Sequence, residues 1–560
     1  VSRARHRWAR LAAPLVAAAL LASACGGGGG EGGGQPQQAG KNDINPRPAS
    51  ELKDGGELKL AVNGFPVTFN YLHVNGSEAD IFEVVTAFMP TPIHYQADGS
   101  AIENKDYLES MELTSKDPQV VTFRLNPKGR WSDGTPITWA DYRSQWQAMN
   151  KSNDAYLISA ANGYDAIGGV DRGRDDFEVK FTFAKKFADW KGIYEILYPQ
   201  SMTSDPAAFN TGWKERPLVT GGPFKVVEVN SGAKTVSVAR DETWWGEKPK
   251  LDRIVFRTVP NDTQIDALAN GELDVVDIAD DLNAYQRATT LPSIELRRAL
   301  APNFRHITFN GSKGALLEDV ELRLALQKAI DRKVMTNALV GQISPGAQPL
   351  NNHIYVQGLK NYKDNSGPVS YDPEAAKRKL DELGWKLEGD VRRRNGRELK
   401  LRNLIPANKT SSEQEAKLVQ QQLGQIGVKV EITPVPLGDF FEKHVKTGNF
   451  DLTHFAWIGT PFPASSKGSI YKTQEQMQQN YGRVGNEAIN KLFEEANAEL
   501  DEQKAADLAN RLDEEIWKTG HSLTTYQRPD VVGVRKGLAN IGAYGFQRPN
   551  PYTKIGYVKG

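Results

Sequence analysis

The chain holds one cysteine, Cys25, among 560 residues. A single thiol excludes an intramolecular disulfide, a cysteine zinc ribbon and a Cys-x-x-Cys redox pair. A prevailing charge is missing too: 69 lysines and arginines balance 69 aspartates and glutamates. Nucleic-acid binders carry a basic face, and nothing in this balance calls for one. No apolar run reaches the ~20 residues of a membrane-spanning helix. Catalytic signatures are equally scarce. There is no Gly-x-x-x-x-Gly-Lys-Ser/Thr phosphate loop and no His-Glu-x-x-His. Gly311-Ser312-Lys313-Gly314 is one residue too tight for a Gly-x-Ser-x-Gly nucleophile elbow. His444 and His454 are separated by Gly448, which speaks against a shared helical face for a metal. Asp274, Asp277, Asp280 and Asp281 lack the glycine and terminal glutamate of a calcium loop and read as a solvated face. No catalytic residue, metal or cofactor is expected.

What is present begins with an address. Arg3, Arg5, Arg7 and Arg10 precede an apolar run from Leu11 to Ala24, which has the length of a secretory h-region. Leu21-Ala22-Ser23-Ala24-Cys25 resembles the bacterial lipobox, with Ala22 at the place where leucine is commonest. That resemblance implies a lipoprotein signal peptide over residues 1–25 and lipid on Cys25. Acyl chains would then hold the protein at the outer face of the cytoplasmic membrane. Residues 26–50, rich in Gly, Gln and Pro, cannot bury apolar area and read as a flexible tether.

A chain of this length exceeds one hydrophobic core, so two or more lobes are expected. Glu57 to Val62, Val120 to Leu125 and Phe177 to Phe183 alternate like half-buried strands. Phe224 to Val229 and Thr235 to Val238 read as a hairpin around Ser231-Gly232. Thr138 is placed to cap a helix through Asp141 to Trp146. Val320 to Leu339 reads as one helical face, and Asp372-Pro373 starts a helix that ends at Leu383-Gly384. Leu399 to Ile405, a helix with a Ser412-x-x-Glu415 capping box, then Val428 to Ile432 form a β-α-β unit. Trp244-Trp245, Trp457 and Phe462 sit beside glycines and prolines. Such aromatics pack cores and hinges, or wall an interdomain pocket, and Trp457 is the strongest pocket candidate.

Six motifs stand in an order that resembles the family 5 extracellular solute-binding proteins, which include the oligopeptide-, dipeptide- and nickel-binding proteins of ABC importers. The first is Trp131-Ser132-Asp133-Gly134-Thr135-Pro136-Ile137-Thr138, then Asp141. Gly222-Pro223-Phe224, Trp244-Trp245-Gly246 and Pro249-Lys250-Leu251-Asp252 follow, then Asn270-Gly271-Glu272-Leu273-Asp274. Phe309-Asn310 leads into Asp319-Val320 through Ala329-Ile330-Asp331-Arg332. Leu423, Ile426-Gly427-Val428 and Gly448-Asn449-Phe450-Asp451-Leu452 complete the series.

The resemblance implies an α/β fold of the two-lobed periplasmic-binding-protein type (class II, cluster C) with an extra inserted domain. Lobe I would be discontinuous, from 51–93, 218–304 and 523–560, with an inserted subdomain at 94–217 and lobe II at 305–522. Ligand would lie in a cleft that closes by hinge motion. Carried over by motif, Phe65, Val67, Arg305, His306, Thr308, Trp457, Thr460, Phe462 and Tyr526 are the expected ligand-binding residues. Trp131, Asp133 and Gly134 are assigned to structure. Peptide binders of the family place an aspartate shortly after the tryptophan that corresponds to Trp457, to meet the ligand's α-ammonium. Thr460 holds that place here. Either another acid serves, or the ligand lacks a free amine.

The implied function is that of an extracytoplasmic binding lipoprotein, with a monomer expected. It would pass peptides or peptide-like ligands to an ABC permease and its ATPase subunits. Two alternatives stay open: the same role with a sugar, an amine-blocked peptide or a metal chelate, and a cell-envelope accessory protein that regulates lipid or glycan assembly.

Overall fold

The computed structural model describes residues 40–161, 163–407, 409–473 and 478–560. Cys25, the signal segment and the first part of the tether lie outside the described residues. Period-two alternation becomes sheet wherever the sequence shows it. Glu57–Val62 buries Leu58, Leu60 and Val62, and Gln119–Leu125 buries Val121, Phe123 and Leu125.

One ten-stranded sheet organises the molecule. From one edge its order is Lys429–Val435, Lys400–Pro406, Leu452–Trp457, Ile294–Phe309 and Ser522–Arg535. It continues through Val275–Asp277, Glu57–Val62, Arg253–Thr258, Thr235–Arg240 and Phe224–Asn230. The two central strands are long and antiparallel to each other, and they join the halves. Each half carries a parallel core. Glu57–Val62 runs parallel to both of its neighbours, and Lys400–Pro406 does the same in the other half. Leu108–Lys116, Gln119–Leu125, Glu178–Phe183 and Ile167–Arg172 form a separate four-stranded antiparallel sheet, all within the segment expected as an insertion.

The apolar core divides in the same way. One cluster joins Leu58, Leu60, Phe256 and Val532 to Phe123 and Phe181 of the smaller sheet. A second gathers Ile307, Phe309, Leu326, Val419 and Leu523 on the other half. Trp131 is buried, Asp133 accepts the Thr135 N–H at 2.9 Å, and Gly134 has φ +88°, so this motif builds a turn. Trp244 and Trp245 pack on Tyr107, and the Trp245 indole donates to the Asp106 carbonyl at 2.9 Å. Both are packing residues.

Helix boundaries follow the caps. Thr138 and Asp141 form a reciprocal capping box for Trp139–Met149, and Asp372 caps Pro373–Glu382. Two expectations fail. The helix expected over Val320 to Leu339 is broken into Val320–Lys328 and Arg332–Val340. The Asp331 carboxylate accepts the N–H groups of Lys333 and Val334, so a capping side chain outcompetes continuation. Ser412 and Glu415 cap nothing. They lie inside Thr410–Gly424, where their side chains hold Arg305 instead.

Candidate functional site

A cavity of about 860 Å³ opens where the two parallel cores meet. Leu60, Ala61 and Asn63, at the carboxyl end of Glu57–Val62, line it together with Val275–Asp277. From the other half come Ile458, just beyond Leu452–Trp457, and Lys409 to Ser411, just beyond Lys400–Pro406. Carboxyl ends of parallel strands are where open α/β sheets hold ligands, because the loops there are free of the sheet's own hydrogen bonds. Tyr526, Arg528, Asp530 and Val532 line it from the long strand Ser522–Arg535. They stand at every second position, so one strand face supplies all four.

The lining is acidic. Seven carboxylates (Asp80, Glu83, Asp262, Asp277, Asp280, Asp281 and Asp530) face three cations, Lys409, Arg528 and Arg548. Much of this charge is occupied. Asp80 accepts the Asn63 and Gly64 N–H groups at 2.8 and 3.0 Å and closes the loop after the first strand. Asp281 caps Leu282–Thr289. Asp280 pairs with Arg528 at 2.6 Å, and Arg548 pairs with Glu195 at 2.6 Å. Glu83 accepts from the Asn550 side-chain amide at 3.1 Å, and Asp530 from the Gly545 N–H at 2.9 Å and from the Tyr544 N–H. Burial, then the charges of Asp80 and Asp277, push the Glu83 carboxyl up to about 7. Burial, then Asp277, push Asp530 to about 7 as well. Asp277 is raised by burial in the same way.

Behind Tyr526 the chemistry reverses. Arg305 grips Glu415 with two bonds, Nε to Oε1 at 2.9 Å and Nη2 to Oε2 at 2.6 Å, and also donates to Ser412 Oγ at 3.0 Å. The Tyr526 hydroxyl donates to Glu415 Oε1 at 3.0 Å. Burial alone would raise Glu415, but the Arg305 guanidinium holds it down at about 2. Tyr526 thus places its ring at the cavity while its hydroxyl is anchored to a buried ion pair.

The nine expected ligand residues scatter around this centre. Tyr526 lines the cavity, and Arg305 supports it from behind. His306 and Thr308 are buried, with Nε2 and Oγ1 2.9 Å apart. Trp457 lies between His306 and Tyr481, nearly parallel to both, at ring distances of 5.5 and 5.9 Å. Its neighbour Ile458, 70% exposed, is the residue that reaches the cavity. Alternation along a strand permits only one of that pair to face the cleft. Thr460 bonds within its own turn, to Phe462 O at 3.1 Å and from Phe462 N at 3.2 Å. Phe462 sets its ring against Tyr95 at 5.5 Å, Phe65 packs on the larger apolar cluster, and Val67 is 62% exposed. None of these last four lines the cavity.

The aspartate cluster is solvated only in part, with Asp277 and Asp281 exposed and Asp280 half-buried. Asp274 is buried, accepting from Arg535 Nε at 2.8 Å and from the Lys59 N–H at 2.9 Å, while Asp277, Asp280 and Asp281 line the cavity. Asp530 and Arg528 share the strand face of Tyr526, which was carried over by motif, and period-two alternation counted from Tyr526 reaches both. Glu83, on the short helix Ala79–Val85, carries no such signal. His444 and His454 sit on a helical turn and a strand respectively, and among the described residues no three His, Cys, Asp or Glu side chains are placed to hold a metal. No helix among them is long and apolar enough to cross a membrane.

Comparison with known proteins places this geometry. A family model described as bacterial extracellular solute-binding proteins, family 5 Middle, matches residues 105–479. The oligopeptide-binding protein OppA of Mycobacterium tuberculosis is 39% identical over 521 residues, covering 92% of this chain and 87% of that protein. Among solved structures, the periplasmic EDTA-binding protein EppA matches with a TM-score of 0.85 at 26% identity, over 92% of this chain and 98% of that one. The oligopeptide-binding protein AppA of Bacillus subtilis, in complex with a nonapeptide, shares the fold with a TM-score of 0.74 at 19% identity, over 91% and 100%. The two-lobed binding-protein fold expected from the sequence is the one found.

Proposed function

Because the chain belongs to the bacterial extracellular solute-binding proteins of family 5, we propose that it captures oligopeptides or peptide-like ligands in the cavity between the two parallel cores. It then delivers them to an ABC permease driven by ATPase subunits. The observation that carries this reading is the cavity itself. Its volume, about 860 Å³, falls within the range of specific ligand sites, roughly 300–1,000 Å³. The 39% identity to a protein named as an oligopeptide binder supports the ligand class. The lobes move as bodies 51–93 with 218–304 and 523–560 against 305–522, and the long central strands carry the hinge. Anchoring through a lipid on Cys25 rests on the lipobox-like segment alone.

A second reading keeps the importer role and changes the ligand to a chelate, and the likeness to an EDTA-binding structure favours it. The lining weighs against that choice, since seven carboxylates would repel a polyanion. Native mass spectrometry of the purified protein decides. A set of short peptides released on denaturation supports the main reading. A single non-peptide species, with no melting shift from a peptide library, sinks it.

A further inference from the structure

A short loop beyond the strand Glu178–Phe183 of the smaller sheet reaches across to the half built on Lys400–Pro406. It runs from Phe187 to Gly192 and is braced from behind. The buried Gln119 side chain accepts the Phe187 N–H at 2.8 Å and donates to the Phe187 carbonyl at 3.0 Å, while Trp190 sinks into the larger apolar cluster. Held in this way, the loop meets two helix ends of the other half. The Ala188 N–H donates at 2.7 Å to the carbonyl of Asn497, in the last turn of Glu487–Ala498. The Asp189 carboxylate accepts the Ser465 N–H at 3.3 Å, in the first turn of Pro463–Tyr471. The N-cap residue of that helix, Phe462, gives it no capping hydrogen bond from its side chain. Ile470 and Tyr471 pack with Ile489 and Phe493 in one cluster, so the two helices form one body. A helix start leaves N–H groups without partners, a helix end leaves carbonyls without them, and the helix dipole favours a carboxylate at the start. Adjacent loop residues thus answer opposite needs of two helices. The Phe462 ring completes the contact. It meets Tyr95 and lies over Gly192, where a Cβ would come within 2.7 Å of it.

We propose that the loop from Phe187 to Gly192 is the clamp of the closed cleft, with Asp189 as its charged grip, so that the smaller sheet governs how long a ligand stays enclosed. The inference rests on the reading of the cavity as a cleft that shuts by motion of the two halves. Ile458 lines the cavity, and the clamped helix begins only five residues further on, so releasing the clamp frees that wall. The character of the contact suits repeated making and breaking. Interfaces that never part are mostly apolar. Here Ala188, Asp189, Phe462, Ser465 and Asn497 are all half-buried, and water can replace their backbone bonds when the halves separate.

Hydrogen exchange and small-angle scattering on the full chain test the clamp with no ligand added. Asp189→Ala should speed exchange of the Ser465 amide about tenfold or more, because a charge-assisted hydrogen bond is lost. It should leave the strand Gln119–Leu125 as protected as in wild type and widen the distribution of interatomic distances. Gly192→Val attacks the same contact by crowding Phe462 and removes no hydrogen-bonding group. It should widen the distribution in the same way, which keeps the test open if Asp189→Ala folds poorly. Native mass spectrometry then reads the fraction of molecules carrying a co-purified small molecule, and both variants should retain less than half of the wild-type fraction. Scattering that matches wild type in both variants, with or without a fall in melting temperature, makes these contacts plain packing and overturns the clamp. Undiminished retention in variants whose scattering has widened overturns it too. If wild type carries no small molecule, the peptide reading loses its support, while exchange and scattering still decide for or against the clamp.

Discussion

Glu83, in the half built on Glu57–Val62, and Glu415, in the half built on Lys400–Pro406, are both carboxylates enclosed by protein. They are driven in opposite directions, Glu83 up to about 7 and Glu415 down to about 2. Burial raises both. What separates them is company: Glu415 has a bidentate guanidinium, a tyrosine hydroxyl and a nearby histidine, and Glu83 has one amide and two acidic neighbours. One half satisfies its buried charge internally and uses it to brace Tyr526. The other leaves Glu83 at the cavity wall without a cationic partner. Enclosure alone therefore says nothing about role; the partners decide it.

The largest effect expected is on the braced side. Glu415→Ala should cost about 3–5 kcal/mol in denaturant unfolding, because it strands the Arg305 guanidinium in the interior. Arg305→Met with Glu415→Met should recover more than half of that loss. A cost under about 1 kcal/mol for the single change would break the comparison, since a braced pair must be expensive to halve. Next comes Trp457→Ala, which should cost about 3 kcal/mol through lost aromatic packing and leave ligand affinity nearly untouched. Ile458→Ala should do the reverse, with little change in melting and weaker ligand binding by calorimetry. An equal effect of both on ligand would show that the sheet face does not sort these neighbours.

The unpaired side gives a smaller effect with a distinctive pH dependence. Glu83 and Asp530 are raised, so the folded chain takes up protons between roughly pH 4 and 7, and their contribution to stability declines as pH rises through that window. Glu415 is lowered from 4.5, so its contribution is present above that value and is lost as pH falls toward 2. Asp530→Asn should accordingly raise the ligand-free unfolding free energy at pH 8 by about 1 kcal/mol and change little at pH 4, measured by urea titration at both values. A loss at pH 8 would assign Asp530 a structural role. Smallest of all, Thr460→Ala should stay within about 1 kcal/mol and leave peptide affinity unaltered, because its hydroxyl serves a local turn.

Much of the frame was legible. Alternation located the strands from Glu57, Gln119 and Lys400, and Thr138 with Asp141 marked a helix start because a capping box is a local reciprocal bond. Ser412 and Glu415 carried the same spacing and misled, since a distant guanidinium bound both more strongly than the helix end could. Asp274 and Asp280 read as surface with the exposed Asp277 and Asp281 because their spacing shows no partner. Arg535 and Arg528, more than 240 positions away, supply those partners.

By itself the sequence determined the strands, most helix starts and the family, because these rest on local periodicity, near-neighbour hydrogen bonds and ordered short motifs. Only the tertiary structure decided which side of a strand meets the cavity, which acids are neutralised and which are left unpaired. Those depend on groups brought together from distant parts of the chain, and electrostatic energy is set by distance in space, not by separation along the sequence.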